Sequence, residues 1–317
     1  MSDQKKIFFN KLQPYLDLLQ EYMQNVGEGE EIPLFYEPIQ YVLQLPGKRI
    51  RPLLTILSAL TCGGTLQHAV YPAVAVEMLH NFTLVHDDIM DADTTRRGQP
   101  TVHTKWDVAT AILAGDGLMG LAFQKLLQSP SGDLLRMTRR FTDVMLIICE
   151  GQGLDKMFEQ QTKVTYDRYL EMIRRKTAVL IELSCELGAL SAQSAEEHIG
   201  ALRNFGHALG MAFQVQDDWL DTMADEKKLG KNVGSDYRQH KQTILTILLQ
   251  QRMNVNLQKM SFQEFKTALV QSSVAEEVKN LFSSYYDAAL KALQKLPDNT
   301  YRHYLEELTL LIKNRDW

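Results

Sequence analysis

Cysteine is scarce in this chain, with three in 317 residues, and the number is odd. Cys62, Cys149 and Cys185 each fall inside an apolar helical run, so no disulfide framework is expected, and reduced core thiols in a cytoplasmic protein are. Glycine and proline are sparse as well, 18 and 9, and no low-complexity tract or linker breaks the chain. Positive charge is in deficit: the formal net charge is −5, and the cations sit in short clusters, which argues against a nucleic-acid surface. No apolar stretch reaches the length of a membrane span. The N-terminus, Ser2 to Lys6 followed by an amphipathic run, has no signal-peptide h-region. Sustained period-2 alternation is absent too, which excludes a β architecture.

What remains is helical periodicity almost everywhere, with 45% hydrophobic residues, ample for a sizeable core. The chain reads as all-α, one domain over residues 1–317, of roughly ten helices. The spacing predicts helices over 6–26, 33–45, 104–127, 133–151 and 166–190, another from Gly47 to Cys62, and four helical segments that complete the chain.

Everything is organised around the stretch from Glu77 to Gly98. Met78, Leu79, Phe82, Leu84 and Val85 recur at helical spacing and lead into Asp87, Asp88 and Asp91. At 3.6 residues per turn Asp87 and Asp91 share one face and Asp88 pairs with Asp91, so like charges are stacked at the end of a buried helix. No Lys or Arg lies between Glu77 and Asp93 to neutralise them; a hard divalent cation with oxygen ligands answers that need. The arrangement recurs at the end of the apolar run 210–220, as Asp217, Asp218 and Asp221, with Asp225 after them. A single triplet also fits a solvated helix face. Two matching triplets argue against that reading.

Cations accompany both. Lys48, Arg49 and Arg51 stand at the entrance of an apolar helix, a setting that suits phosphate, although the hexamer 47–52 taken alone reads rather as a solvated basic turn. Asp93 to Pro100 is expected as an exposed loop, with Arg96 and Arg97 adjacent, and arginines beside a metal neutralise and orient one anionic group. Past the second triplet, Thr222 to Asp236 carries Lys227, Lys228 and Lys231, and Lys241 follows. Lys176 and Thr177 interrupt an apolar helix; a lone Lys there reads by itself as a surface residue.

These residues resemble a trans-isoprenyl diphosphate synthase. The first motif is DDIMD followed by RRG, the second DDWLD followed by LGK and GSD, and GKRIRP lies upstream, a match over about residues 47–241. The resemblance implies an all-α bundle around a deep central cavity, the isoprenoid synthase type I fold, with the aspartate motifs facing each other across its mouth, and a homodimer. It implies condensation of isopentenyl diphosphate with allylic diphosphates and release of pyrophosphate. About three Mg²⁺ ions, or Mn²⁺ in their place, would be held by Asp87 and Asp91 from one wall and Asp217 from the other, with Asp88, Asp218 and Asp221 supporting. Arg96, Lys176, Thr177, Gln214, Lys231 and Lys241 would serve the allylic diphosphate, and Lys48, Arg51, His80 and Arg97 isopentenyl diphosphate. His80 alone reads as a core histidine; its place seven residues before Asp87 is what promotes it.

Product length follows from the same helix. Phe82 stands about 7.5 Å deeper than Asp87 at ~1.5 Å rise per residue, and in the family a bulky residue there, with an uninterrupted motif, marks short-chain enzymes making C15 or C20 products. Thr83 and Met78 are further candidates for the tunnel wall. The family often has Gly, Lys, any residue, Thr, Tyr and Pro after the second motif, where this chain has His240 to Leu245, which weakens the case for Lys241. A basic C-terminal tail closes over the substrate in some members; here Lys313 and Arg315 are its only cations. Two rivals stand against catalysis by chain elongation. A class I terpene cyclase would carry an Asn/Ser/Glu metal motif in place of DDWLD, and a non-catalytic partner subunit usually loses one aspartate motif.

Overall fold

The computed structural model describes residues 3–24, 26–27, 31–130, 132–161, 163–224, 233–253 and 257–315. In chain order these form α1 (Asp3–Gln24), α2 (Pro33–Gln44), α3 (Ile50–Thr61), α4 (Leu66–Met90), the strands β1 (Thr95–Arg96) and β2 (Gln99–Pro100), α5 (Val102–Lys105), α6 (Val108–Leu127), α7 (Leu134–Glu159) and α8 (Tyr166–Ile173). A π-helical turn (Arg174–Ala178) leads into α9 (Val179–Ser191), then come α10 (Glu196–Met223), α11 (Ser235–Arg238), α12 (Ile244–Met253), a 3₁₀ turn (Leu257–Lys259), α13 (Phe262–Gln271), α14 (Val274–Leu293) and α15 (Thr300–Lys313). The class is all-α, as the periodicity requires.

Three expected elements differ in detail. The helix over 104–127 is split, because Asp107 adopts an extended backbone and accepts from the Thr110 N–H at 2.7 Å, an N-cap that starts a new helix inside an unbroken apolar pattern. The helix over 166–190 contains the π turn. The loop over 93–100 holds a two-residue hairpin, Thr95 opposite Pro100 and Arg96 opposite Gln99; its central residues Arg97 and Gly98 both have positive φ, 55° and 75°, as a type I′ turn demands. The cysteines also need correction. No disulfide joins them, but only Cys185 is buried and Cys149 is exposed. On α7 the buried stripe runs through Met137, Phe141, Val144 and Ile148, and Cys149 lies one position round from it.

The residues fall into two compact units that interleave in sequence, one of Met1–Thr142, Leu183–Ile199 and Asn299–Arg302, the other of Asp143–Glu182, Gly200–Asp298 and His303–Trp317. In the first, α4 is central and packs on α6 and α3. Val74, Val76, Met78 and Leu79 are wholly enclosed, so α4 is apolar on most sides, as an internal helix must be. Burial of each of these side chains stabilises by roughly 1.5–3 kcal/mol. In the second, Trp219 of α10 donates its indole N–H to the Ala275 carbonyl (3.0 Å) and meets the Phe282 ring edge-on at 6.0 Å. That pins the end of α10 on α14. Ser261 and Glu264 form a reciprocal capping box that starts α13.

Candidate active site

The first triplet ends α4. Asp88 is 4% exposed and its Oδ1 accepts from Arg96 Nε at 2.6 Å, with Arg96 Nη2 at 2.5 Å from the same oxygen. Burial raises the Asp88 pKa while Arg96 opposes the rise. The hairpin therefore supplies the cation missing between Glu77 and Asp93, but to Asp88. Asp87 and Asp91 stay partly exposed beside it.

The GKRIRP segment divides its cations by task. Arg49 turns inward: its guanidinium donates to Glu77 Oε1 (2.5 Å) and to the carbonyls of Leu43 (2.5 Å) and Leu45 (3.0 Å), a buried ion pair that closes the turn before α3. Arg51 goes elsewhere. Its Nη1 lies 3.2 Å from His80 Nε2, and its buried Nε has no partner among the described residues. Burial, then the neighbouring Arg97, brings the Arg51 pKa down to about 10 against the pull of Glu77. Burial depresses His80 well below the ordinary imidazole value, and Arg51, Arg97, Arg96 and Arg49 add to that. A neutral histidine accepting from Arg51 follows. Arg97 is drawn into the group by the absence of a side chain at Gly47, where a Cβ would stand 2.8 Å from Arg97 Nη1. Several guanidinium groups crowd one neutral imidazole, which leaves a field suited to an anion.

The second unit gathers the other triplet. Asp218 is buried and both its oxygens are engaged, by the Tyr169 hydroxyl and by Gln214 Nε2 at 2.9 Å. Thr177 Oγ1 donates to Gln214 Oε1 at 3.0 Å, so Thr177, Gln214 and Asp218 form one chain of hydrogen bonds. Burial, then Asp236, raises the Asp218 pKa to about 7. Burial, then Asp221, raises Asp236 to about 6. Asp221 accepts from the backbone N–H groups of Ser235 (3.3 Å) and Asp236 (3.1 Å). Asp217 is the open member, with a side chain 58% exposed and Oδ1 3.0 Å from Arg315 Nη2. Lys241 Nζ stands 3.9 Å from Asp236 Oδ1.

Sequence reasoning missed two participants here. Asp155 of α7 accepts from Lys176 Nζ at 2.5 Å; its only signal is a polar residue three places after Gln152 in the run Gly151 to Asp155. Tyr169, seven residues before Lys176, is the other. Lys227, Lys228 and Lys231 lie outside the described residues.

With this geometry the comparisons with known proteins are decisive. The profile of the polyprenyl synthetase family matches residues 32–283. The chain belongs to the polyprenyl synthetase family. Geranylgeranyl diphosphate synthase of Sulfolobus acidocaldarius is 44% identical over 235 residues, 73% of this chain and 70% of that protein. All-trans-nonaprenyl-diphosphate synthase (geranyl-diphosphate specific) of Rhodobacter capsulatus is 36% identical over 303 residues, 92% of each. The crystal structure of geranylgeranyl pyrophosphate synthetase from Pyrococcus horikoshii superposes with a TM-score of 0.94 at 35% identity, over 99% of this chain and 100% of that one. This polyprenyl synthetase thus has the isoprenoid synthase fold.

Members of the family are generally dependent on divalent metal ions. The donors present fit such an ion. Burial, most of all, raises the pKa values of Asp218, Asp221 and Asp236, and the charge of Asp217 adds to each, so negative charge is in excess there and the donors are oxygen, the preference of Mg²⁺. Among the described residues no three acidic or imidazole groups are close enough to chelate one ion. That is compatible with Mg²⁺, which takes one or two carboxylates and completes its shell with water and phosphate oxygens.

Proposed function

We propose that this chain condenses isopentenyl diphosphate with C5 to C15 allylic diphosphates, releasing pyrophosphate, and that its product is short, C20 or C15. It is a prenyltransferase by family, and what carries the finer reading is the coexistence of two complete aspartate triplets with a separate cluster of arginines round His80. A cyclase has no use for that second anion site.

In this reading Asp87, Asp91 and Asp217 would hold about three Mg²⁺ ions, or Mn²⁺, with Asp88, Asp218 and Asp221 supporting them. When bound, the ions would supply positive charge to the departing diphosphate, which would lower the cost of its leaving. Lys176, Lys231, Lys241 and Arg96 would supply positive charge to the same leaving group, with Thr177 and Gln214 as further contacts. Lys48, Arg51 and Arg97 bind the diphosphate of isopentenyl diphosphate, and His80, kept neutral by burial and by the arginines, donates no charge of its own. Phe82 sets the depth available to the growing chain, with Thr83 next to it. Met78, wholly enclosed, sits behind the wall. Both units belong to one catalytic domain, supported by a family match that runs from residue 32 to 283, and the protein works in the cytoplasm as a homodimer. Val108, Ile112 and Leu113 of α6, exposed at 49%, 44% and 48%, support the dimer.

The test is an incubation with Mg²⁺, labelled isopentenyl diphosphate and each of the C5, C10 and C15 primers, with products separated by length. A C20 or C15 product abolished by EDTA is expected. No elongation from any primer would leave the partner-subunit reading standing.

A further inference from the structure

We propose that Arg315 is a built-in counter-ion for Asp217 that keeps the second triplet from taking up a metal ion ahead of the diphosphate, an inference that rests on the metal role of Asp217 proposed above. The pair is asymmetric. The Arg315 side chain is 7% exposed and that of Asp217 is 58% exposed, with Nη2 and Oδ1 3.0 Å apart. Arg315 has a seat of its own. Its guanidinium lies 4.0 Å over the Phe213 ring, Nη2 also donates to the Phe213 carbonyl at 3.0 Å, and Nε donates to Gln216 Oε1 at 3.2 Å. The same Gln216 oxygen accepts from the Tyr286 hydroxyl at 2.6 Å, and Gln216 Nε2 donates to the Lys313 carbonyl at 2.8 Å. The backbone two residues before the arginine is therefore fastened to the helix that carries the aspartate.

A guanidinium fixed in this way stays charged and stays put. Its partner, well exposed, gives up little when it leaves, because ion pairs in water are weak. A bare dication arriving at Asp217 must both replace the arginine and sit against it, like charge to like. A dication that arrives with a diphosphate meets no such penalty, since phosphate oxygens face the arginine. Arg315 thereby favours the metal–diphosphate complex over the free ion. A merely structural arginine would do the opposite: its loss would loosen α10 and weaken metal binding.

Electron paramagnetic resonance titration of Mn²⁺ with the full-length protein, without diphosphate, decides between them. Arg315→Gln is expected to bind Mn²⁺ about three- to tenfold more tightly than the parent, and Arg315→Lys, which keeps the charge, to bind as the parent does. The Mg²⁺ concentration for half-maximal turnover, read with diphosphate present, should not fall in Arg315→Gln. Unchanged or weaker Mn²⁺ binding by Arg315→Gln would overturn the inference. Should that variant melt below assay temperature, Arg315→Met refills the seat against Phe213 without charge and is read the same way. Asp217→Asn separates the two premises: if it turns over at the parental rate, the metal role of Asp217 fails, whereas a collapse of turnover with no gain in Arg315→Gln removes the counter-ion role alone.

Discussion

Phe82 keeps 8% of its surface while Met78, four residues earlier on the same helix face, keeps none, so of these two only Phe82 borders open space. Its ring meets His86 edge-on at 4.8 Å, and His86 in turn fills the space left by Gly115, where a Cβ would stand 2.2 Å from the imidazole. Phe82→Ala should lengthen the product by at least one isoprene unit, at a stability cost of up to about 3–5 kcal/mol; an unchanged product distribution would show that another residue sets the floor. His80 makes a second prediction. In the unfolded chain it takes up a proton near pH 6.5, while in the fold burial and the four arginines hold its pKa well below that. The unfolded state then binds more protons as pH falls beneath 6.5, so this group's contribution to stability is intact above that value and lost below it. His80→Gln should flatten the fall of melting temperature between about pH 7 and pH 5, and an identical slope in the variant would assign the loss to other groups. Sequence reasoning had the motif arginines in view but not their division: nothing in GKRIRP distinguishes Arg49, held by Glu77, from Arg51, whose Nε has no partner among the described residues. Which guanidinium is satisfied depends on carbonyls and carboxylates brought near by the fold.

At the scale of elements, the π turn between α8 and α9 is what lifts Lys176 and Thr177 out of the apolar pattern. One extra residue in the turn shifts the register of the side chains, and such turns cluster at functional sites. The partner that accommodates it is Gly151 of α7: a Cβ there would meet the Lys176 backbone nitrogen at 2.4 Å and the Lys176 Cα at 2.7 Å. Gly151→Ala must push that backbone aside, at a cost of about 1–3 kcal/mol, and should lower kcat by tenfold or more through displaced Lys176 and Thr177. A parental kcat together with a lowered melting temperature would show that the turn holds its register without this contact. Helical periodicity made the helices legible, from the interior run of α4 to the four segments α12 to α15 that close the chain. It does not register an i→i+5 turn, because the apolar stripe continues on either side, and it passes over Asp107 for the same reason. The hairpin at Arg96 and Arg97 escapes because two-residue strands carry no period at all.

The whole molecule divides its chemistry between two units, each with one aspartate triplet and its own cations, and the division was not legible, since Leu183–Ile199 joins the first unit from the middle of the second unit's sequence. The motifs announced themselves by spacing; membership of a unit is decided by packing that no local pattern records. If the triplets serve one diphosphate, as proposed, binding must stabilise both units together. Metal alone should do little, because among the described residues no three acids are assembled to chelate it and the cores are apolar: EDTA should leave the helical circular dichroism and the melting temperature unchanged. Mg²⁺ with inorganic pyrophosphate at about 100 times its Kd should add roughly 2.7 kcal/mol, which for a chain of this size raises the melting temperature by about 5 °C. Hydrogen exchange then tells where. Slowed exchange is expected at the end of α4 and at the end of α10 in the same sample, and protection confined to one of them would mean that each triplet binds its own anion, which would remove the shared leaving-group site from the mechanism.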